Sequence, residues 1–131
     1  MKRYAATIMI ASAMIMSLLA LPGWAGKSRI ERAVVQFDEP VKLLDVMLKG
    51  EYLFVHDEEK MARGETCTYV YAHDKGKQGE LLVSFHCIPA ARERADQFTA
   101  VVKTVPSTTL NELIEYQFAG SIEGHQVPHQ K

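Results

Sequence analysis

Cysteine is scarce in this chain, two residues in 131, and neither belongs to a Cys-x-x-Cys pair. The spacings of zinc ribbons and of thioredoxin-like redox sites are therefore lacking. No glycine-rich run of the phosphate-cradling kind occurs, and Ser84 has none of the flanking glycines of a nucleophile elbow. Glu58 and Glu59 are neighbours in sequence, not an acid and a base held apart across a cleft. No catalytic residue can be nominated, and the chain reads as a non-enzyme. Excess charge of one sign is also missing, because 15 basic and 16 acidic side chains give a net charge of −1. That balance does not favour nucleic acid or an anionic membrane as partner. Internal repeats and low-complexity tracts are absent.

What is present begins with Met-Lys-Arg-Tyr, an apolar run from Ala5 to Leu21, and then Pro22-Gly23-Trp24-Ala25. A positive start, an apolar core and small residues at the cleavage positions predict a secretory signal over residues 1–25. The alternative is a retained anchor, since a run of about 17 apolar residues overlaps the shortest spanning helices. Cleavage would remove Lys2 and Arg3 and no acid, leaving 13 basic against 16 acidic residues, a net −3. The expected location is periplasmic or secreted, with no membrane association once the signal is cut. The remaining 106 residues suffice for one modest core.

Through most of that remainder apolar residues recur with period two. The pattern predicts strands over 30–37, 51–56, 98–105 and 110–118, with Ile114, Tyr116 and Phe118 inward and Glu115 and Gln117 outward. Val41 to Leu48 fits a strand or a helical turn, and Ala90 to Asp96 reads as a polar connection. Asp57 can cap a short helix over 57–63, with Glu58 and Glu59 at its positive end and Gly64 closing it. The fold class is all-β, a small antiparallel β-sandwich or open barrel with one short helix. The domain is expected over residues 26–119, and residues 120–131, which lack periodicity, as a flexible tail.

Cys67 and Cys87 sit symmetrically about the polar stretch 74–80. A hairpin turn centred on Lys77 gives pairs whose numbers sum to 154: Cys67 with Cys87, Tyr69 with Phe85, Tyr71 with Val83. Thr68, Val70 and Ala72 would then share the opposite face with His86, Ser84 and Leu82. In an oxidising compartment the two thiols are expected to form one disulfide. Metal or redox thiols are one alternative and unpaired buried thiols another, and zinc would need two further ligands. His86 follows the strand alternation away from Cys87. Weak metal candidates are His56, His86, His125 and His129, the last two joining the others if the tail wraps back. His73 completes the histidines. No cofactor is demanded.

The segments Val35-Gln36-Phe37-Asp38-Glu39-Pro40-Val41 and Leu48-Lys49-Gly50-Glu51-Tyr52-Leu53-Phe54-Val55 resemble those of small exported bacterial β-domains. In these a strand ending Phe-x-x-Pro-Val precedes a second strand bearing Leu, Gly and Tyr. The resemblance implies a β-fold and export and brings no catalytic residues. The first expectation is a non-enzymatic binding or structural module of the cell envelope, with a protein, peptide or glycan partner. The alternatives are a periplasmic metal-binding protein using histidines and a small accessory enzyme.

Overall fold

The computed structural model describes residues 29–128; the leader-like segment 1–25 and His129 lie outside the described residues. Eight strands form one sheet, curled into an open half-barrel, with one short helix. The all-β expectation therefore holds.

β1 (Ile30–Leu43) and β2 (Val46–Asp57) form a long antiparallel hairpin. The turn at Leu44-Asp45 places Leu44 at φ 53. Asp38-Glu39-Pro40 does not end the first strand. The register instead shifts between Phe37 and Val41, so the residue without an amide N–H falls in a bulge where no ladder bond is asked of it. The ambiguous stretch 41–48 is this hairpin's turn and its flanks. The helix α1 (Glu58–Ala62) starts as its sequence requires, with the Asp57 carboxylate accepting from Lys60 N at 3.1 Å and Gly64 at φ +75 just beyond it.

β3 (Thr68–Asp74) and β4 (Lys77–Phe85) form the next hairpin, and here the expected register is wrong. The turn is the two-residue pair Lys75-Gly76, at φ 53 and 77, the positive-φ combination of a tight I′ hairpin. Two register shifts follow, so Thr68 lies opposite Phe85 and Tyr69 opposite Ser84. A slip of one residue exchanges the faces. Thr68 and Val70 are buried, while the Tyr69 hydroxyl reaches outward to the Thr66 carbonyl and to Lys60 Nζ, each at 3.0 Å. Cys67 and Cys87 still meet, because both lie just beyond the ends of this ladder.

The chain continues through β5 (Ile88–Ala91), β6 (Thr99–Val105), β7 (Leu110–Gln117) and β8 (Glu123–Gln126). The sheet order is β4-β3-β2-β1-β7-β8-β5, with β6 on the other edge of β7. β1 meets β7 in parallel at Val41–Asn111 and Lys42–Glu112, and β8 pairs the far half of β7 through Glu115–Gln126, Tyr116–His125 and Gln117–Gly124. The expected flexible tail is corrected at this point, since β8 is a strand held between β7 and β5. The start of the expected polar connection, Ala90 and Ala91, likewise belongs to a strand. Glu115 and Gln117 are buried as well as Tyr116 and Phe118, because Arg92 and the loop before β6 cover the outer face of β7. The Glu115 carboxylate receives Arg92 Nε at 2.8 Å and Nη2 at 2.7 Å, and Gln117 Nε2 donates to the Glu93 and Ser121 carbonyls. Inside the curl, Phe54, Phe98, Tyr116 and Phe118 pack largely edge to face, the arrangement aromatic quadrupoles prefer.

Candidate metal centre

Two cross-strand rows build the site. Glu31, His56, Thr68 and Phe85 stand side by side across β1, β2, β3 and β4, and Ala100, Tyr116, His125 and Pro89 do so across β6, β7, β8 and β5. Residues paired across strands share a face of the sheet, and the curl brings the two rows together. The Thr68 hydroxyl bonds the Tyr116 hydroxyl, and the His56 and His125 rings lie 3.9 Å apart, centroid to centroid. Burial pushes the Tyr116 hydroxyl well above its ordinary pKa, so it stays a neutral partner to Thr68.

Cys87 is at the centre of the cluster. Its Sγ lies 3.1 Å from Cys67 Sγ, 3.4 Å from His56 Nε2, 3.6 Å from His125 Nδ1 and 3.6 Å from Met61 Sδ. Cys67, Cys87, His56 and His125 are all fully buried. Both cysteines are free thiols, near one another but short of bonding distance. A disulfide requires about 2.05 Å. Two sulfurs on one tetrahedral zinc, at about 2.3 Å each, stand about 3.8 Å apart, and a sulfur and a nitrogen about 3.5 Å apart. The two Cys87–histidine distances already have the latter value. The sulfur pair would open by about 0.7 Å to hold an ion.

Burial, with the adjacent Cys67 thiol, pushes the Cys87 thiol far above its ordinary pKa, which keeps it protonated at neutral pH in the metal-free protein. Burial and the neighbouring His56 push His125 down to about 4, so its imidazole is neutral and keeps one lone pair. Cys67 Sγ accepts from Cys87 N at 3.3 Å, a backbone donor that would stabilise a thiolate there.

The imidazole nitrogens turned away from the sulfurs have acidic neighbours. His56 Nδ1 is 3.6 Å from Glu31 Oε1 and 3.7 Å from Glu58 Oε1, and His125 Nε2 is 3.9 Å from Glu123 Oε1. Neither nitrogen has a hydrogen-bond partner among the described residues. Burial and the negative charges of Glu58 and Glu31 push the Glu123 carboxyl up.

Of the histidines singled out in the sequence, His56 and His125 converge and His86 does not. His86 is exposed, with Nδ1 3.0 Å from the Glu65 carbonyl and 3.9 Å from Cys67 Sγ. His73 pairs with the Glu51 carboxylate at the other end of the β2–β3 ladder. Met61, Glu31, Glu58 and Glu123 were not foreseen, although Glu58 and Met61, three apart on α1, belong to the helix that Asp57 announced. No protein-family model, curated protein or solved structure matches the chain.

Proposed function

We propose that this protein is a non-enzymatic metal-binding module whose centre is Cys67, Cys87, His56 and His125, with the Met61 thioether beside it. The observation that carries the reading is that Cys67 Sγ, His56 Nε2, His125 Nδ1 and the half-buried Met61 Sδ all lie within 3.6 Å of the buried Cys87 Sγ, with the ligand atoms of His56, Cys67 and Cys87 within 4.8 Å of one another. Thiolate, thioether and imidazole are ligands for Cu(I) and Zn(II), and harder ions such as magnesium and calcium prefer oxygen. Met61 favours Cu(I), since thioethers are weak ligands for zinc. In this reading the proton of each imidazole sits on the nitrogen facing Glu31, Glu58 or Glu123, and the other lone pair faces the sulfurs. Carboxylates behind ligating histidines commonly orient them in this way. The export signal expected over residues 1–25 would place the module in the periplasm or outside the cell, where its thiols meet oxidants.

Binding displaces the proton of the Cys87 thiol, so affinity rises with pH. The deciding experiment is anaerobic titration of the reduced protein with Cu(I), and separately with Zn(II), against a competing chelator. One equivalent is expected to bind. Cys87→Ser should weaken it by about 100-fold or more, beyond the loss typical of outer-shell residues. Stoichiometric disulfide with no metal uptake by the reduced protein would overturn the reading and return the chain to a stapled β-domain.

A further inference from the structure

The far sides of the two imidazoles present a different set of donors. Glu31 on β1, Glu58 on α1 and Glu123 on β8 gather three carboxylates around His56 Nδ1 and His125 Nε2. An acidic cluster alone is common on surfaces and signifies nothing. Here two fully buried imidazole nitrogens, both without a hydrogen-bond partner among the described residues, are turned into it. An unsatisfied buried nitrogen costs about 1–3 kcal/mol, and two in one place, beside three carboxylates, form an incompletely satisfied site. Glu31, His56 and His125 each offer a ligand atom within 4.8 Å of the others.

We infer that Glu31, Glu58 and Glu123, with His56 Nδ1 and His125 Nε2, form a second cation site, for a borderline divalent ion such as Cu(II) or Zn(II). Two imidazoles and a carboxylate suit such ions, whereas a soft monovalent ion prefers the sulfur side. The side chains of Glu31, Glu58 and Glu123 are 36%, 34% and 35% exposed, so a hydrated ion reaches this side directly, whereas both cysteines are fully buried.

The two sites share both histidines. A neutral imidazole has one lone pair, and its N–H occupies the other nitrogen. Holding an ion among the sulfurs requires the protons on His56 Nδ1 and His125 Nε2, toward the carboxylates. An ion among the carboxylates requires them on His56 Nε2 and His125 Nδ1, toward Cys87. Occupancy of one side therefore opposes the other, and the protein sorts ions by softness through the tautomers of two residues.

The inference is independent of sulfur-side binding and can be tested without it. Two preparations remove the thiols, the Cys67→Ser/Cys87→Ser double variant and the wild-type chain oxidised to its disulfide. Cu(II) is the probe. Each preparation should bind one Cu(II), with an electron paramagnetic resonance spectrum of nitrogen and oxygen ligation and no sulfur-to-copper charge-transfer band. Glu31→Gln/Glu58→Gln/Glu123→Gln, in either background, should weaken Cu(II) by at least about tenfold. Reduced protein loaded with Cu(I) should refuse the divalent ion. Absence of Cu(II) binding from whichever preparation retains the wild-type circular dichroism overturns the inference, as does binding that the glutamine substitutions leave unchanged. Failure of reduced wild-type protein to take Cu(I) would bear on the sulfur-side reading alone.

Discussion

The imidazoles of His56 and His125 overlap at 3.9 Å between centroids, tilted by 32°, although one comes from β2 near the start of the domain and the other from β8 near its end. No ladder joins those two strands directly. Their contact is made only when the sheet has curled, so the site and the closed fold arise together.

That coupling gives a pH dependence. The folded state holds His125 at a pKa of about 4, below its unfolded value of about 6.5. A base whose pKa falls on folding contributes its full stability above the unfolded value. The contribution is lost as pH drops through the window from about 6.5 to about 4, because the unfolded chain binds the extra proton. The loss is of order 3 kcal/mol. Denaturant unfolding of the metal-free protein at about pH 7.5 and about pH 4.5 should show it. His125→Gln should be less stable at neutral pH but lose less on acidification. Parallel acid limbs for the two proteins would contradict this account.

Gly124 is fixed by crowding. It lies opposite Gln117 in the β7–β8 ladder, and a Cβ placed on it would collide with the Glu115 carboxylate that Arg92 clamps. Gly124→Ala is expected to cost about 1–3 kcal/mol, in the range of overpacked positions, and to lower the thermal midpoint. If Glu115 swings away freely, the midpoint of Gly124→Ala would scarcely move, and this account would be wrong.

Truncation after Ala119 tests the same strand more severely. It removes β8, which covers Tyr116 and supplies His125. A sharp fall in thermal midpoint is expected, with loss of metal affinity, since the core loses a wall as well as a ligand. An unchanged midpoint would mean that residues 120–131 are dispensable to folding.

The legibility of the fold varied with local chemistry. Period-two stretches such as 51–56 and 110–118 announced their strands because one face was apolar. Asp57 and Gly64 announced α1 because capping depends on a few adjacent residues. β8 was invisible, for Glu123-Gly124-His125-Gln126 contains no apolar side chain and its burial comes from pairing with β5 and β7 and from the packing of His125 on His56. The β3–β4 register failed because the turn is Lys75-Gly76 and not centred on Lys77, and the shifts around Tyr71, which leave no trace in hydrophobicity, only partly offset that displacement. In the candidate centre the cysteine pair was readable from symmetry about the hairpin, and His56 and His125 from residue type. Their convergence depended on the curl, and Glu31 was hidden because its role follows from standing opposite His56.

The 3.1 Å between Cys67 Sγ and Cys87 Sγ makes oxidation and sulfur-side metal binding mutually exclusive, for bonded sulfurs have no thiolate to offer. Disulfide formation converts two thiols to one S–S bond, releasing two protons and two electrons to an oxidant, and begins with attack by a thiolate. A metal ion holding both sulfurs would occupy those thiolates. Incubation with oxidised glutathione should therefore form the disulfide slowly in metal-free protein, since both sulfurs are buried and Cys87 is held protonated, and at least about tenfold more slowly still after one equivalent of Cu(I) or Zn(II). Mass spectrometry after alkylation under denaturing conditions reads the outcome directly. Equal oxidation rates with and without metal would place the ion away from the thiols. Restoration of metal uptake by a reductant after oxidation would confirm that the same two sulfur atoms serve both states.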